Sequence, residues 1–214
     1  MNHVQAFDAA LAELPLVAIL RGLRPDEAEE VGEALVEAGF RLIEVPLNSP
    51  EPLESVRRMA ARLGERAVVG AGTVLTPDAV DAVRDAGGRM VISPNTDERV
   101  IARTVEHGLV SLPGVATPSE AFAALAAGAT ALKLFPAEGA SPAVLKAMRA
   151  VLPPATRVLP VGGIAPDNMA PWVQAGAAGF GLGSALYKPA MKAETVAENA
   201  LAFVAAQRAL PNMD

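Results

Sequence analysis

Cysteine is absent from the 214 residues. That absence excludes disulfides, thiolate metal sites and a cysteine nucleophile, and it makes a reducing cytoplasm the expected compartment. Histidine is almost absent: His3 and His107 are the only two. Neither falls at a predicted strand end, so a histidine-rich zinc or iron site lacks its ligands. No acidic cluster demands magnesium, and chemistry without metal or cofactor is expected. No apolar run reaches the ~20 residues that span a bilayer. The opening MNHVQAFDAALAEL carries acids and lacks a basic start, so it reads as a short amphipathic helix rather than a signal peptide. A basic excess is missing too. With a net charge of -6, the overall field attracts neither nucleic acid nor an anionic membrane. An anionic small molecule would need a local site.

Half the residues are apolar (51%), one fifth are charged (20%) and aromatics are only 4%, which is globular composition with alanine-rich, closely packed helices. Short apolar runs recur every twenty-odd residues: Leu16–Leu20, Leu42–Leu47, Ala67–Val74, Arg89–Pro94, Val110–Val115, Ala131–Pro136, Arg157–Gly163 and Gly179–Ser184. Helical stretches lie between them. Several open at a proline and close at a glycine, as in Pro25–Gly39, Pro77–Gly87, Pro118–Gly128 and Pro166–Gly176. Strand, loop and helix repeat without hairpin signals, which means parallel strands with crossover helices. Eight similar units predict an α/β fold, a (β/α)8 TIM barrel with a short N-terminal helix, as one domain over residues 1–214. A doubly wound sheet is the alternative. It usually carries a glycine-rich turn after its first strand, where this chain has Arg21-Gly22.

Barrels of this kind hold their active sites at the C-terminal strand ends. In the sixth predicted strand Ala131, Lys133 and Phe135 share one face, and Leu132 and Leu134 share the other. Lys133 should therefore point inward. Desolvation disfavours an ammonium, and a neutral lysine amine attacks ketones to form a Schiff base. In the second predicted strand Leu42, Glu44 and Pro46 share a face. Glu44 should meet Lys133 across the interior, as a general acid/base or as a structural ion-pair partner. Gly162-Gly163 and Gly183-Ser184 end the seventh and eighth predicted strands, the recurrent phosphate position of this architecture. Turns alone also need glycine. Arg21 ends the first strand as a solvated side chain or a carboxylate clamp. Thr73, near the end of the third, is a hydrogen-bond donor or simply a β-former.

Seven stretches carry a resemblance over nearly the whole chain: Val17-Ala-Ile-Leu-Arg-Gly22, Glu44-Val-Pro-Leu-Asn-Ser-Pro50, Gly70-Ala-Gly-Thr-Val-Leu75, Ser93-Pro-Asn95, Leu112-Pro-Gly-Val-Ala-Thr117, Ala131-Leu-Lys-Leu-Phe-Pro136 and Pro160-Val-Gly-Gly163. The sequence resembles the 2-keto-3-deoxy-6-phosphogluconate/6-phosphogalactonate aldolases. The resemblance implies a metal-independent class I aldolase that releases pyruvate and glyceraldehyde 3-phosphate. It makes Lys133 the Schiff-base lysine and Glu44 the proton shuttle. Arg21, Thr73, Pro94 and Phe135 would shape the pyruvate end, and Gly162, Gly163, Gly183 and Ser184 would hold the phosphate. It also implies a cytoplasmic homotrimer with no cofactor and no nucleic-acid or membrane partner. The gluconate branch usually has Thr-Leu-Arg-Thr after its Glu-Val and threonine before the glycine pair. This chain has Pro46-Leu47-Asn48-Ser49 and Val161, which resemble the galactonate branch. Rival expectations are the gluconate epimer or both epimers as substrate, a different reaction on a phosphate-binding barrel, and a non-catalytic sugar-phosphate sensor.

Overall fold

The computed structural model describes residues 2–210. Its strands are β1 (Leu16–Ile19), β2 (Leu42–Pro46), β3 (Val68–Gly72), β4 (Met90–Ile92), β5 (Val110–Leu112), β6 (Gly114–Val115), β7 (Leu132–Leu134), β8 (Val158–Pro160) and β9 (Phe180–Leu182). The α-helices are α1 (His3–Glu13), α2 (Ala28–Glu37), α3 (Pro52–Leu63), α4 (Pro77–Asp85), α5 (Glu98–Glu106), α6 (Pro118–Ala126), α7 (Pro142–Arg149), α8 (Met169–Gln174) and α9 (Ala193–Arg208). Strands and helices alternate, so every strand pair is parallel. Six strands form a curled sheet in the order β5-β4-β3-β2-β1-β9, and three form a second sheet, β6-β7-β8. A single parallel bridge, Val161 with Gly181, joins the end of β8 to β9.

The period-2 alternation sorts the side chains into two apolar layers. Leu16, Ala18, Ile43, Val45, Leu132 and Leu134 pack outward in one cluster with the helices. Val17, Leu42, Val68, Met90, Val110, Ala131 and Leu159 pack inward in another, together with Phe7, Ala10 and Leu11 of α1. Helix α1 is thus a plug at the N-terminal strand ends. Its start is fixed by a capping box, in which Asn2 and Gln5 exchange side-chain and backbone hydrogen bonds. With that end stoppered, the interior opens only toward the C-terminal strand ends.

Three local expectations are corrected. The run Val110–Val115 is two strands, β5 paired to β4 and β6 paired to β7. Pro113 lies between them and has no N–H to donate, though its carbonyl still accepts from the Lys133 N–H at 2.9 Å. The third strand ends at Gly72, and Thr73 turns away with φ 57, a left-handed conformation rare for a β-branched residue. Helices α2 and α8 begin three residues after Pro25 and Pro166. Ahead of α8, Asn168 bonds the Ala165 N–H and the Gly163 carbonyl, at 3.0 and 2.8 Å, and holds that stretch as a turn. Among the described residues no helix is long and apolar enough to cross a membrane.

Candidate active site

Lys133 and Glu44 reach the same interior space from β7 and β2. Together with Val17, Ile19, Ile92, Leu112, Leu159, Val161 and Gly181 they line an enclosed cavity of about 10 Å³, near the least room that holds one water. Lys133 is 7% exposed and Glu44 is 1% exposed, so neither charge has a solvent shell. No ion pair within 4.0 Å joins them. Glu44 Oε2 is buried without a hydrogen-bond partner among the described residues. Lys133 Nζ lies 4.9 Å from the centre of the Phe135 ring, the next residue on its own strand face. Burial pushes the Lys133 ammonium below the ordinary lysine value; Glu44 acts against that shift and Arg21 adds to it. Burial also pushes the Glu44 carboxyl up, with Lys133 and Arg21 partly offsetting it. Both shifts favour the uncharged forms, a free amine facing a carboxylic acid.

Glu44 is held where it is by an absence. A Cβ built on Gly72 would lie 1.9 Å from Glu44 Oε2 and 2.7 Å from its Cδ. The φ of Gly72 is not left-handed, so the backbone conformation does not require glycine there. The space for the carboxylate does.

Above this floor the site widens into a mouth cavity of about 330 Å³. Lys133 and Ile19 form its base, and Arg21, Phe135, Val161, Gly162, Gly163, Gly183 and Ser184 lie on its walls. The structure therefore brings most of the expected residues together. Thr73 and Pro94 are not among the lining residues; Thr73 stands next to Gly72, against which Glu44 packs. Neither glycine loop runs directly into a helix. Gly183-Ser184 opens a turn in which the Gly183 carbonyl accepts from the Leu186 and Tyr187 N–H groups, and α9 starts only at Ala193. Gly162 and Gly163 both have positive φ, 114 and 65. The N–H groups of Gly162, Gly163, Gly183 and Ser184 donate to no backbone acceptor among the described residues. Four donors at one rim suit an anion's oxygens.

Sequence reasoning missed several residues of the mouth. Glu138, Tyr187, Lys188 and Pro189 also line it. Tyr187 turns its hydroxyl toward Glu27 at 3.5 Å, and burial, with Glu27 adding to it, pushes the phenol up to about 12. Ser49 Oγ accepts from the Gly22 N–H at 2.9 Å, tying the loop after β2 to the turn that presents Arg21. Only Ser49 had a signal, as part of the Pro46–Ser49 stretch. A larger groove of about 720 Å³ lies among α2, α3 and α9, lined mainly by glutamates and alanines, and it contains no nucleophile facing a base. The amine of Lys133 and the carboxyl of Glu44 lie instead at the small interior cavity beneath the mouth. Among the described residues no three His, Asp or Glu side chains gather as a metal site.

The chain is similar to known proteins along most of its length. The family described as KDPG and KHG aldolase matches residues 7–201. A 2-dehydro-3-deoxy-6-phosphogalactonate aldolase of Escherichia coli (strain K12) is 47% identical over 196 residues, covering 92% of this chain and 96% of the relative. A solved structure described as native KDPGal superposes with a TM-score of 0.90 at 47% identity, covering 92% of this chain and 95% of the other. A KDPG aldolase from Legionella pneumophila, solved with pyruvate captured as a covalent carbinolamine intermediate, superposes with a TM-score of 0.76 at 26% identity over 95% of this chain and 97% of the other.

Proposed function

The chain belongs to the KDPG and KHG aldolase family, and from that membership we propose that it is a class I aldolase cleaving 2-dehydro-3-deoxy-6-phosphogalactonate to pyruvate and glyceraldehyde 3-phosphate. One observation carries the mechanism: a lysine and a glutamate, both desolvated and not ion-paired, face one water-sized space beneath an open mouth. The neutral Lys133 amine attacks the C2 ketone and gives a carbinolamine. Loss of water, with Glu44 supplying the proton, leaves an iminium. The Glu44 carboxylate so formed accepts the C4 hydroxyl proton, directly or through a water. The C3–C4 bond then breaks, the aldehyde departs, and its electron pair becomes an enamine on the lysine. Glu44 returns the proton to C3, giving the pyruvate iminium. Water then hydrolyses it to free pyruvate and the neutral Lys133 amine, and the proton released goes back to the Glu44 carboxylate.

Arg21 and Phe135 flank the pyruvate end, with Thr73 and Pro94 shaping it from the loops after β3 and β4. The unpaired N–H groups at Gly162, Gly163, Gly183 and Ser184 receive the phosphate. The galactonate epimer is favoured by the 47% identity and by Pro46–Ser49 and Val161, where a C4 hydroxyl of the opposite hand needs other partners. We read the strand segments as a closed ring of eight, β5 and β6 being one strand interrupted at Pro113, in one domain. A cytoplasmic homotrimer follows from the family resemblance. The test is pyruvate release from the two C4 epimers, side by side with a chelator, together with borohydride trapping of pyruvate. Fast release from the galactonate epimer and an adduct mapped to Lys133 are expected. Equal rates on both epimers overturn the specificity, and an adduct elsewhere or none overturns the mechanism.

A further inference from the structure

The turn after β7 carries a carboxylate into the place where the proposed function puts an anion. The Ala137 N–H donates to the Val161 carbonyl at 2.9 Å, so the residue after Ala137 sits over the residue after Val161. Those two residues are Glu138 and Gly162. A Cβ on Gly162 would lie 1.9 Å from Glu138 Oε2, 2.8 Å from its Cδ and 3.1 Å from its Oε1. A Cβ on Gly163 would lie 2.8 Å from Glu138 Cγ and 3.4 Å from its Cδ. The side chain therefore lies flat across the glycine pair. It makes no hydrogen bond or ion pair of its own among the described residues, although Arg21 and Lys188 line the same mouth. It is also exposed, so swinging out returns the carboxylate to full hydration at little cost.

We infer that Glu138 sets the affinity of the phosphate end, as an internal competitor that covers the Gly162-Gly163 cradle until a stronger anion displaces it. This inference rests on the proposed phosphate site and goes one step further. A phosphate brings two charges and three acceptor oxygens against one charge and two oxygens, so it wins the exchange. A neutral hydroxyl tail brings a single weak acceptor and does not. Coverage by Glu138 thus lowers the affinity for the phosphorylated substrate, which must displace it, more than for an unphosphorylated one, and so narrows the gap between them and eases release of the phosphorylated product. The repulsion it exerts is that of one exposed charge near another, small and salt-dependent.

The experiment measures inhibition of pyruvate release by inorganic phosphate, and KM for the phosphorylated substrate and its unphosphorylated counterpart. It compares the unmodified protein with Glu138→Ala and Glu138→Gln. Melting temperatures within error of one another check that the fold is kept. In Glu138→Ala the phosphate inhibition constant should fall by about three- to tenfold, the scale of one screened unit charge. The KM for the phosphorylated substrate should fall with it and that for the unphosphorylated one should change less, so the ratio of unphosphorylated to phosphorylated KM should rise. The same shift in Glu138→Gln assigns the effect to charge, and a shift in alanine alone assigns it to coverage; both support the competitor. An unchanged or weakened inhibition in Glu138→Ala overturns it. Phosphate that inhibits none of the three proteins removes the phosphate cradle itself and the inference with it. Phosphate that inhibits all three equally removes only the inference.

Discussion

The floor and the mouth of the site use opposite electrostatics. On the floor, Lys133 and Glu44 are shut away from solvent with room for about one water, and burial drives both toward their neutral forms. At the mouth, backbone N–H groups, Arg21, Glu138 and Lys188 stand in or near solvent, where charges are screened and side chains are free to move. The floor needs a nucleophile that is uncharged at neutral pH, and desolvation, with the Arg21 charge adding to it, moves the lysine that way. The mouth needs to bind and release a charged group in every turnover, and deep burial would make both steps slow. Changes on the floor should therefore strike kcat, and changes at the mouth should strike KM.

The largest effect tests the floor. Lys133→Ala should reduce pyruvate release to background and abolish the borohydride adduct while the melting curve stays cooperative. Substantial turnover in that variant would falsify the Schiff-base route. Glu44→Gln comes next. It should lower kcat by roughly 10²–10⁴, the usual range for a general acid/base group. While Lys133 is protonated an ionised Glu44 works to raise its pKa, and the substitution removes that charge. Lys133 should then lose its proton at still lower pH, so the acid limb of kcat/KM should move to lower pH. A limb that stays put would mean that Glu44 is already a neutral acid while Lys133 still holds its proton.

Gly72→Ala perturbs the floor without touching either group. The new Cβ displaces the Glu44 carboxylate, whose Oε2 occupies its place at 1.9 Å, and the backbone conformation tolerates alanine. A displacement of that kind should cost about tenfold to a hundredfold in kcat with little change in KM. The double variant Gly72→Ala, Glu44→Asp shortens the acid by one methylene and should recover part of the loss. If the double variant is slower than either single one, steric displacement is not the cause.

How much of this the chain discloses differs between floor and mouth for the same physical reason. Each strand–helix unit is local, so eight apolar runs and their glycine stops reveal the strands, and the period of 2 puts Lys133 and Glu44 on inward faces. Local rules fail where two units meet. The run Val110–Val115 divides at Pro113 into β5, which pairs with β4, and β6, which pairs with β7, because the two halves face different neighbours. The Thr73 conformation belongs to the turn after Gly72, not to its own β-branched preference. Glu138 reaches Gly162 only through the hydrogen bond from Ala137 to Val161, which no spacing in the sequence shows.

Arg21→Gln is the smallest change and the sharpest contrast to Glu44→Gln. Arg21 stands exposed at the mouth, yet its charge reaches Lys133 and lowers that pKa. Removing it relieves Lys133 of a like charge, so the amine should hold its proton to higher pH. The acid limb of kcat/KM should move up, opposite in direction to the shift in Glu44→Gln. Because the path from Arg21 passes through the open mouth, the shift should be less than about one pH unit and should shrink as salt is raised. Its KM for pyruvate, measured in the aldol direction, should rise if the guanidinium also clamps the carboxylate. A shift that survives high salt unchanged would place Arg21 on the dry side of the boundary, and the division between floor and mouth would then lie one residue further out.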